Sequence, residues 1–175
     1  IGYTNCHTAV SQKSLITAIR EEAVYEKKDK PSVPKKGTKI KDNDGSTYIV
    51  TSGKGKTPTV QYTDPKSTAK GTVTIPATVK VDGVSYRVTS IADNAFKNNK
   101  KITRVVIGSN IVTIGKNAFY GCKNLKKITI KSEKLTSKSI AKNAFRGISK
   151  KTVVKVPASK YKAYKKMLYA KGLNK

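Results

Sequence analysis

Apolar residues recur along the second half of the chain in two interleaved patterns. The first is Ser90-Ile-Ala-Asp-Asn-Ala-Phe96-Lys-Asn98. It returns as Thr113-Ile-Gly-Lys-Asn-Ala-Phe119-Tyr-Gly121 after 23 residues and as Ser139-Ile-Ala-Lys-Asn-Ala-Phe145-Arg-Gly147 after 26 more. The three phenylalanines of the chain hold the same place in each copy. Ile91, Ala95 and Phe96 fall at i, i+4 and i+5, so a helical turn puts them on one face, and Ile114, Ala118, Phe119 and Ile140, Ala144, Phe145 repeat this. Each copy therefore reads as one short helical turn. Ser90, Thr113 and Ser139 stand where an N-cap hydroxyl accepts an orphan backbone N–H. Asn98, Gly121 and Gly147 stand where a left-handed residue closes the turn.

The second pattern is Ile102-x-x-Val105-x-Ile107, then Leu125-x-x-Ile128-x-Ile130, with a degenerate copy at Lys151-x-x-Val154-x-Val156. Its last two apolar positions alternate, as a short strand with one buried face requires. Thr72-Val73-Thr74-Ile75 fits the same strand, which makes four rungs. A strand plus a turn every 23 to 26 residues is one coil of a solenoid. No single coil can bury its Phe and Ile alone, so the coils must stack. The expected core is Ile91, Phe96, Ile114, Phe119, Ile140 and Phe145, with the three rings in register down one dry column.

Two further stretches echo each other at an offset of 38: Asp44-Gly-Ser-Thr-Tyr48-Ile-Val50 and Asp82-Gly-Val-Ser-Tyr86-Arg-Val88. Asp-Gly favours a type I′ turn, so both read as β-hairpins. The second, with Val79 and Val81 facing Val84, Tyr86 and Val88, is expected to cap the N-terminal end of the solenoid. Segment 57–62 is expected to pair with the first hairpin, as an edge because of Pro58. Before these, Leu15, Ile16, Ile19 and Ala23 lie at helical spacing with Ser11 or Ser14 as cap, followed by a linker at Lys30–Gly37 holding Pro31 and Pro34. At the far end Tyr161, Tyr164 and Leu168 form a helical stripe, with Ser159 as N-cap and Gly172 closing ahead of Leu173. A basic amphipathic helix can bind a membrane surface, but here it reads as a cap that keeps the last Phe dry. The organisation expected is a helix and Pro-containing linker over 1–36, a hairpin lead-in over 37–70, and a repeat domain over 71–175.

The alternation of these turns and strands resembles the BspA-like (Treponema-type) leucine-rich repeats of bacterial surface proteins, over residues 71–175. The Asn-Ala-Phe turn, the Ile before it and the Val-Thr-Ile-Pro lead-in at 73–76 carry the resemblance. The asparagine that follows the strand in many leucine-rich repeats stands here as Asn110, with Glu133 and Ser159 in its place in the other coils. Relatives carry long arrays and this one is short, which implies a C-terminal fragment of a larger protein. The resemblance implies an α+β solenoid, a short array of stacked strands and helical turns with a β-hairpin cap in front and a capping helix behind. It also implies a secreted or cell-surface location and a non-catalytic binding or adhesion role. The partner implied is a host or bacterial surface protein, a glycan or a wall polymer, and the module itself is expected to be a monomer.

Charge adds a constraint. Lys and Arg number 37 against 10 Asp and Glu, a net of +27. Residues 97–175 hold 22 basic residues and one acid, Glu133, for a net of +21, whereas residues 1–30 balance at +1. Such a field attracts polyanions: wall polymers, sulfated glycans, nucleic acid or an anionic membrane surface. Only four of the basic residues are Arg, and base reading leans on Arg, which argues against sequence-specific nucleic-acid binding. The alternative is a lysine coat that solubilises the protein and protects sheet edges. No run approaches a transmembrane span, and the chain begins at Ile1 without a signal peptide, as a fragment or a processed product would.

Catalytic chemistry is not expected. Two cysteines make no disulfide framework, and Cys122, in the place of Asn99 and Ile148, reads as a reduced, part-buried filler. Cys6 beside His7 has the types of a ligand pair or of a nucleophile and base, but adjacent side chains point apart and the chain has no other His. Gly53-Lys-Gly55-Lys lacks the spacing of a phosphate loop, and Asp42-Asn-Asp44-Gly45 lacks the later ligands of a calcium loop. No cofactor or metal is expected. What remains is the outward face of the strands: Thr72 and Thr74; Arg104, Val106 and Gly108; Lys127, Thr129 and Lys131; Val153 and Lys155. Strands about 4.8 Å apart make Arg104 and Lys127 adjacent like charges. Either an anionic ligand fills the gap or the side chains splay into screened solvent. The candidate ligand site is Arg104, Lys127, Thr129, Lys131 and Lys155. Two other roles are open: an electrostatic wall anchor of a larger surface protein, or one end of an enzyme whose catalytic domain lies upstream.

Overall fold

Alternating apolar positions become strands throughout residues 32–65 and 69–173, the part that a computed structural model describes. The predicted N-terminal helix (Leu15, Ile16, Ile19, Ala23) and the Cys6–His7 pair lie outside the described residues. Ten strands follow in order: β1 (Lys39–Lys41), β2 (Thr47–Ser52), β3 (Thr59–Asp64), β4 (Gly71–Ile75), β5 (Thr78–Val81), β6 (Val84–Ile91), β7 (Ile102–Ile107), β8 (Thr113–Ile114), β9 (Lys127–Ile130) and β10 (Val153–Lys155). A 3-10 turn at Ala158–Lys160 leads into the one described α-helix, α1 (Tyr161–Ala170).

The four predicted rungs form a parallel sheet in the order β4-β7-β9-β10. Val73, Val105 and Ile128 pair in register and face inwards, as do Ile75, Ile107 and Ile130. The other sheet runs β1-β2-β3-β6-β5, with β8 continuing beside the end of β6. Here Ser90 pairs with Thr113, Ile91 with Ile114, and Ile114 bridges to Ile140. Each coil thus contributes one position to each of two parallel ladders. The fold is a short leucine-rich-repeat solenoid.

The Phe turns differ from their predicted form. They are β-turn stacks, not helical turns. Ser90 and Thr113 are strand residues in the second ladder and cap nothing. Ser139 folds back on Thr136, whose N–H donates to the Ser139 hydroxyl at 2.8 Å. The physical reason lies in the asparagines: Asn94, Asn117 and Asn143 have φ of 60°, 56° and 61°. Asn tolerates this left-handed conformation, which interrupts any helix. Asn98, Gly121 and Gly147 are left-handed as expected, with φ of 58°, 70° and 74°. Backbone groups freed by the turns bond from coil to coil. Phe96 N–H donates to Ala118 O and Phe119 N–H to Ala144 O, both at 2.8 Å.

The rings stack as predicted. Phe96 and Phe119 lie 5.0 Å apart between centroids and Phe119 and Phe145 5.5 Å, nearly parallel, and all three are at most 1% exposed. Tyr62 of β3 extends the column, 5.6 Å from Phe96, and Tyr48 meets Tyr62 edge-on at 5.3 Å. Such pairs add about 0.5–1.5 kcal/mol each beyond area burial.

A hairpin caps the front of the solenoid, but it is the first one. β1 and β2 pair antiparallel, β2 joins β3, and β3 runs parallel to β6. Segment 57–62 is therefore interior, not an edge. Pro58 sits ahead of the strand, where its missing N–H costs no ladder bond, and its carbonyl accepts Arg87 N–H at 2.9 Å. The second hairpin has the predicted type I′ turn, with Asp82 and Gly83 at φ of 48° and 77°. The first does not. Only Gly45 is left-handed (φ 85°), after a turn closed by its N–H on Asp42 O at 3.0 Å. Asp42 takes the Ser46 N–H at 2.9 Å and the Tyr48 hydroxyl at 2.7 Å on its two carboxylate oxygens.

Behind the last coil, α1 buries Tyr164, Met167 and Leu168, whereas Tyr161, predicted to share that stripe, is 55% exposed and lies outside it. Ser159 lies in the 3-10 turn and is not an N-cap; Lys160 holds that place without a side-chain bond. The Tyr164 hydroxyl donates to Ser132 O (3.1 Å) and accepts Leu135 N–H (3.0 Å). Gly172 (φ 100°) closes the helix as predicted: its N–H donates to Tyr169 O and Leu173 N–H to Leu168 O.

Candidate binding surface

Strand register decides which predicted site residues meet. One outward column runs Thr72, Arg104, Lys127, Val153, and the next runs Thr74, Val106, Thr129, Lys155. Arg104 and Lys127 are direct neighbours, as are Thr129 and Lys155. Lys155 does not share the Arg104–Lys127 column, because its register partner is Thr129. Lys131 lies just past β9, its N–H bonded to Ile107 O at 2.9 Å, in a third column. Arg104, Lys131 and Lys155 are exposed; Lys127 and Thr129 are half-buried. The five residues thus spread over three columns of one face.

A denser basic cluster precedes the strands, and sequence reading passed over it. Lys100 and Lys101 precede β7, Lys123 and Lys126 precede β9, and Lys150 and Lys151 precede β10, all exposed. The loops carrying them stack: Asn124 Nδ2 donates to Lys100 O at 2.7 Å, Lys126 N–H to Thr103 O at 2.8 Å and Val153 N–H to Lys126 O at 2.9 Å. With Arg104 in the first half of β7 and Lys127 opening β9, eight cations line the end of the parallel sheet where its strands begin. No acid occurs between Asp93 and Glu133 to neutralise them. The available signal was a lysine pair recurring at the repeat period just ahead of each strand.

Among the described residues, the titratable groups with altered acidity belong to the core. Burial pushes the Cys122 thiol up to about 11, and it donates to Phe96 O at 2.9 Å. Cys122 is fully buried, more than predicted. Burial likewise pushes Tyr62 up to about 12 and raises Tyr48, whose bond to Asp42 adds to the effect. These groups are held neutral and inward, so none is poised as a nucleophile. Among the described residues no helix is long and apolar enough to cross a membrane.

The BspA-type leucine-rich-repeat family model matches residues 83–175 in six copies. No curated protein matches the chain. Among solved structures, a leucine-rich cell surface protein from Faecalibacterium prausnitzii A2-165 is 26% identical with a TM-score of 0.55, covering 73% of this chain and 32% of its own. A leucine-rich-repeat protein from Bacteroides capillosus is 20% identical with a TM-score of 0.53, covering 69% of this chain and 99% of its own. The chain thus spans about a third of the first relative's length and nearly all of the second's.

Proposed function

The chain belongs to the BspA-type leucine-rich-repeat family, and we propose on that premise that it is an extracellular, non-catalytic binding or adhesion module. It presents the basic face of its parallel sheet, and the lysines where the strands begin, to a host or bacterial surface protein, a glycan or a wall polymer. Repeats of this type generally bind proteins, and the F. prausnitzii neighbour is described as a cell surface protein. The observation that carries the reading is the register pairing of Arg104 with Lys127, with no acid in the chain from Asn94 to Ser132 to offset them. Adjacent like charges cost stability, and a ligand carrying negative charge recovers it. In a heparin-retention assay, replacing Arg104, Lys127 and Lys155 together with Glu abolishes binding while circular dichroism stays unchanged. Retention of the triple variant equal to the parent's contradicts the strand face as the site.

A second reading rests on the +21 carried by residues 97–175. In it the module tethers a larger surface protein, possessing its own upstream domains, to anionic wall polymers. Retention on isolated walls that is lost at high salt favours the anchor; a saturable, salt-tolerant partner favours adhesion.

A further inference from the structure

The two ladders end differently behind the last coil. Beside the Phe turns, the end of α1 supplies the next acceptor, Lys171 O, for Phe145 N–H at 3.2 Å. Beside the strands, no described strand follows β10. Val153 N–H points to β9, where it bonds Lys126 O, so by the alternation of a parallel ladder the N–H and C=O of Val154 point the other way. They meet no partner among the described residues. A groove of about 250 Å³ opens beneath that edge, between β10 and α1, floored by Val154, Val156, Leu168 and Leu173. Val153 (58%) and Tyr161 (55%) are the most exposed large apolar side chains described, and both flank this end. The Lys165 ammonium lies 5.8 Å from the Tyr161 ring centre. Lys150, Lys151 and Lys155 complete an exposed cationic rim, and no acid follows Glu133 in the chain.

An open strand edge with apolar side chains above and below it is a template for pairing. We propose that β10 captures an extended acidic segment of another protein as a further rung of the sheet. The segment's backbone bonds the free edge of Val154, alternate aliphatic side chains fill the groove, and the acidic ones between them meet the lysines. A second copy of this chain does not fit, because two edges each belonging to a +27 molecule repel. A plain polyanion leaves the groove floor and Val153 uncovered. The site goes beyond the strand-face reading and shares Lys155 with that face and Lys150 and Lys151 with the lysine cluster ahead of the strands.

The test uses the intact chain and fluorescence anisotropy with a short peptide alternating Val and Asp, at physiological salt. The peptide binds, an alternating Val–Lys peptide does not, and poly-aspartate of equal charge binds at least about tenfold more weakly. N-methylation of one alternate set of peptide amides weakens binding about tenfold or more, and of the other set leaves it intact. Val154→Pro, which an edge strand tolerates, causes a similar loss without a change in thermal midpoint; if that variant fails to fold, the methylated pair still decides. Arg104→Glu leaves peptide binding in place, which separates this site from the strand face. Poly-aspartate binding as tightly, equal effects of both methylation sets, no peptide binding at all, or a dimer in sedimentation that occludes the edge each overturns the proposal.

Discussion

The turn ladder is closed at both ends, by Tyr62 of β3 in front and the C-terminal turn of α1 behind, whereas among the described residues the strand ladder stops at β4 on one side and β10 on the other. Both ladders are made by the same coils. The difference follows from what each encloses. The turn ladder encloses the aromatic column, and an uncovered Phe or Tyr ring is costly, since aromatic side chains bury 150–250 Å² or roughly that much each. Its last member therefore needs a dedicated cover. The strand ladder exposes Thr, Lys and Val at its outer columns and tolerates an open edge, protected by charge. Closure serves stability, and the proposed capture of a partner strand uses the open side.

Breaking the enclosed column has the largest expected effect. Phe119→Ala removes the central ring from both neighbours and lowers unfolding free energy by about 3–5 kcal/mol in denaturant titration. The closed end ranks next. Gly172 adopts φ 100°, and a Cβ there would lie 2.8 Å from Arg146 N. Gly172→Val is expected to cost about 1–3 kcal/mol, seen as a lower thermal midpoint.

Alkaline pH loosens the column more gently. The Cys122 thiol rises from its ordinary 9.0 to about 11 in the folded chain. The unfolded thiol loses its proton first, so the contribution is complete below about pH 9 and fades as pH rises towards 11, on the order of 1 kcal/mol per pH unit. Tyr62, pushed up to about 12, acts in the same direction at higher pH. Cys122→Ala is expected to show a shallower loss of stability than the parent between these pH values. The smallest effect belongs to the open ladder. Lys127→Glu turns a like-charge neighbour of Arg104 into an opposite one and adds a few tenths of a kcal/mol, about 0.2–1, that disappears at high salt.

Repetition made most of this legible before any coordinates. Three equally placed Phe residues, three strands with one alternation and the matching Thr72–Ile75 stretch marked out the coils, the column and four rungs. Features that occur once were harder. Tyr62 belongs to the column, but it lies in a single strand without the Asn-Ala-Phe signature. Pro58 read as an edge marker because its position just ahead of β3, where no ladder bond is lost, depends on where the strand begins. Hydroxyl residues before an apolar run signal a helix cap, yet the same Ser90 and Thr113 serve equally in a strand, and the left-handed Asn94 and Asn117 decide between the two. On the surface, the pairing of Arg104 with Lys127 was readable from the period. The lysine cluster ahead of the strands also recurs with the period, and only its stacking into one group needed the loops; the separation of Lys155 from Arg104 and Lys127 required the register.

Amide hydrogen exchange resolved at single residues tests the contrast between the ladders most directly. Phe145 N–H, bonded to Lys171 O beneath the cap, is expected to exchange only through opening of the last coil, and Val154 N–H, facing outward from β10, at least about a hundredfold faster. Protection of Val154 equal to that of Phe145 would contradict an open strand ladder.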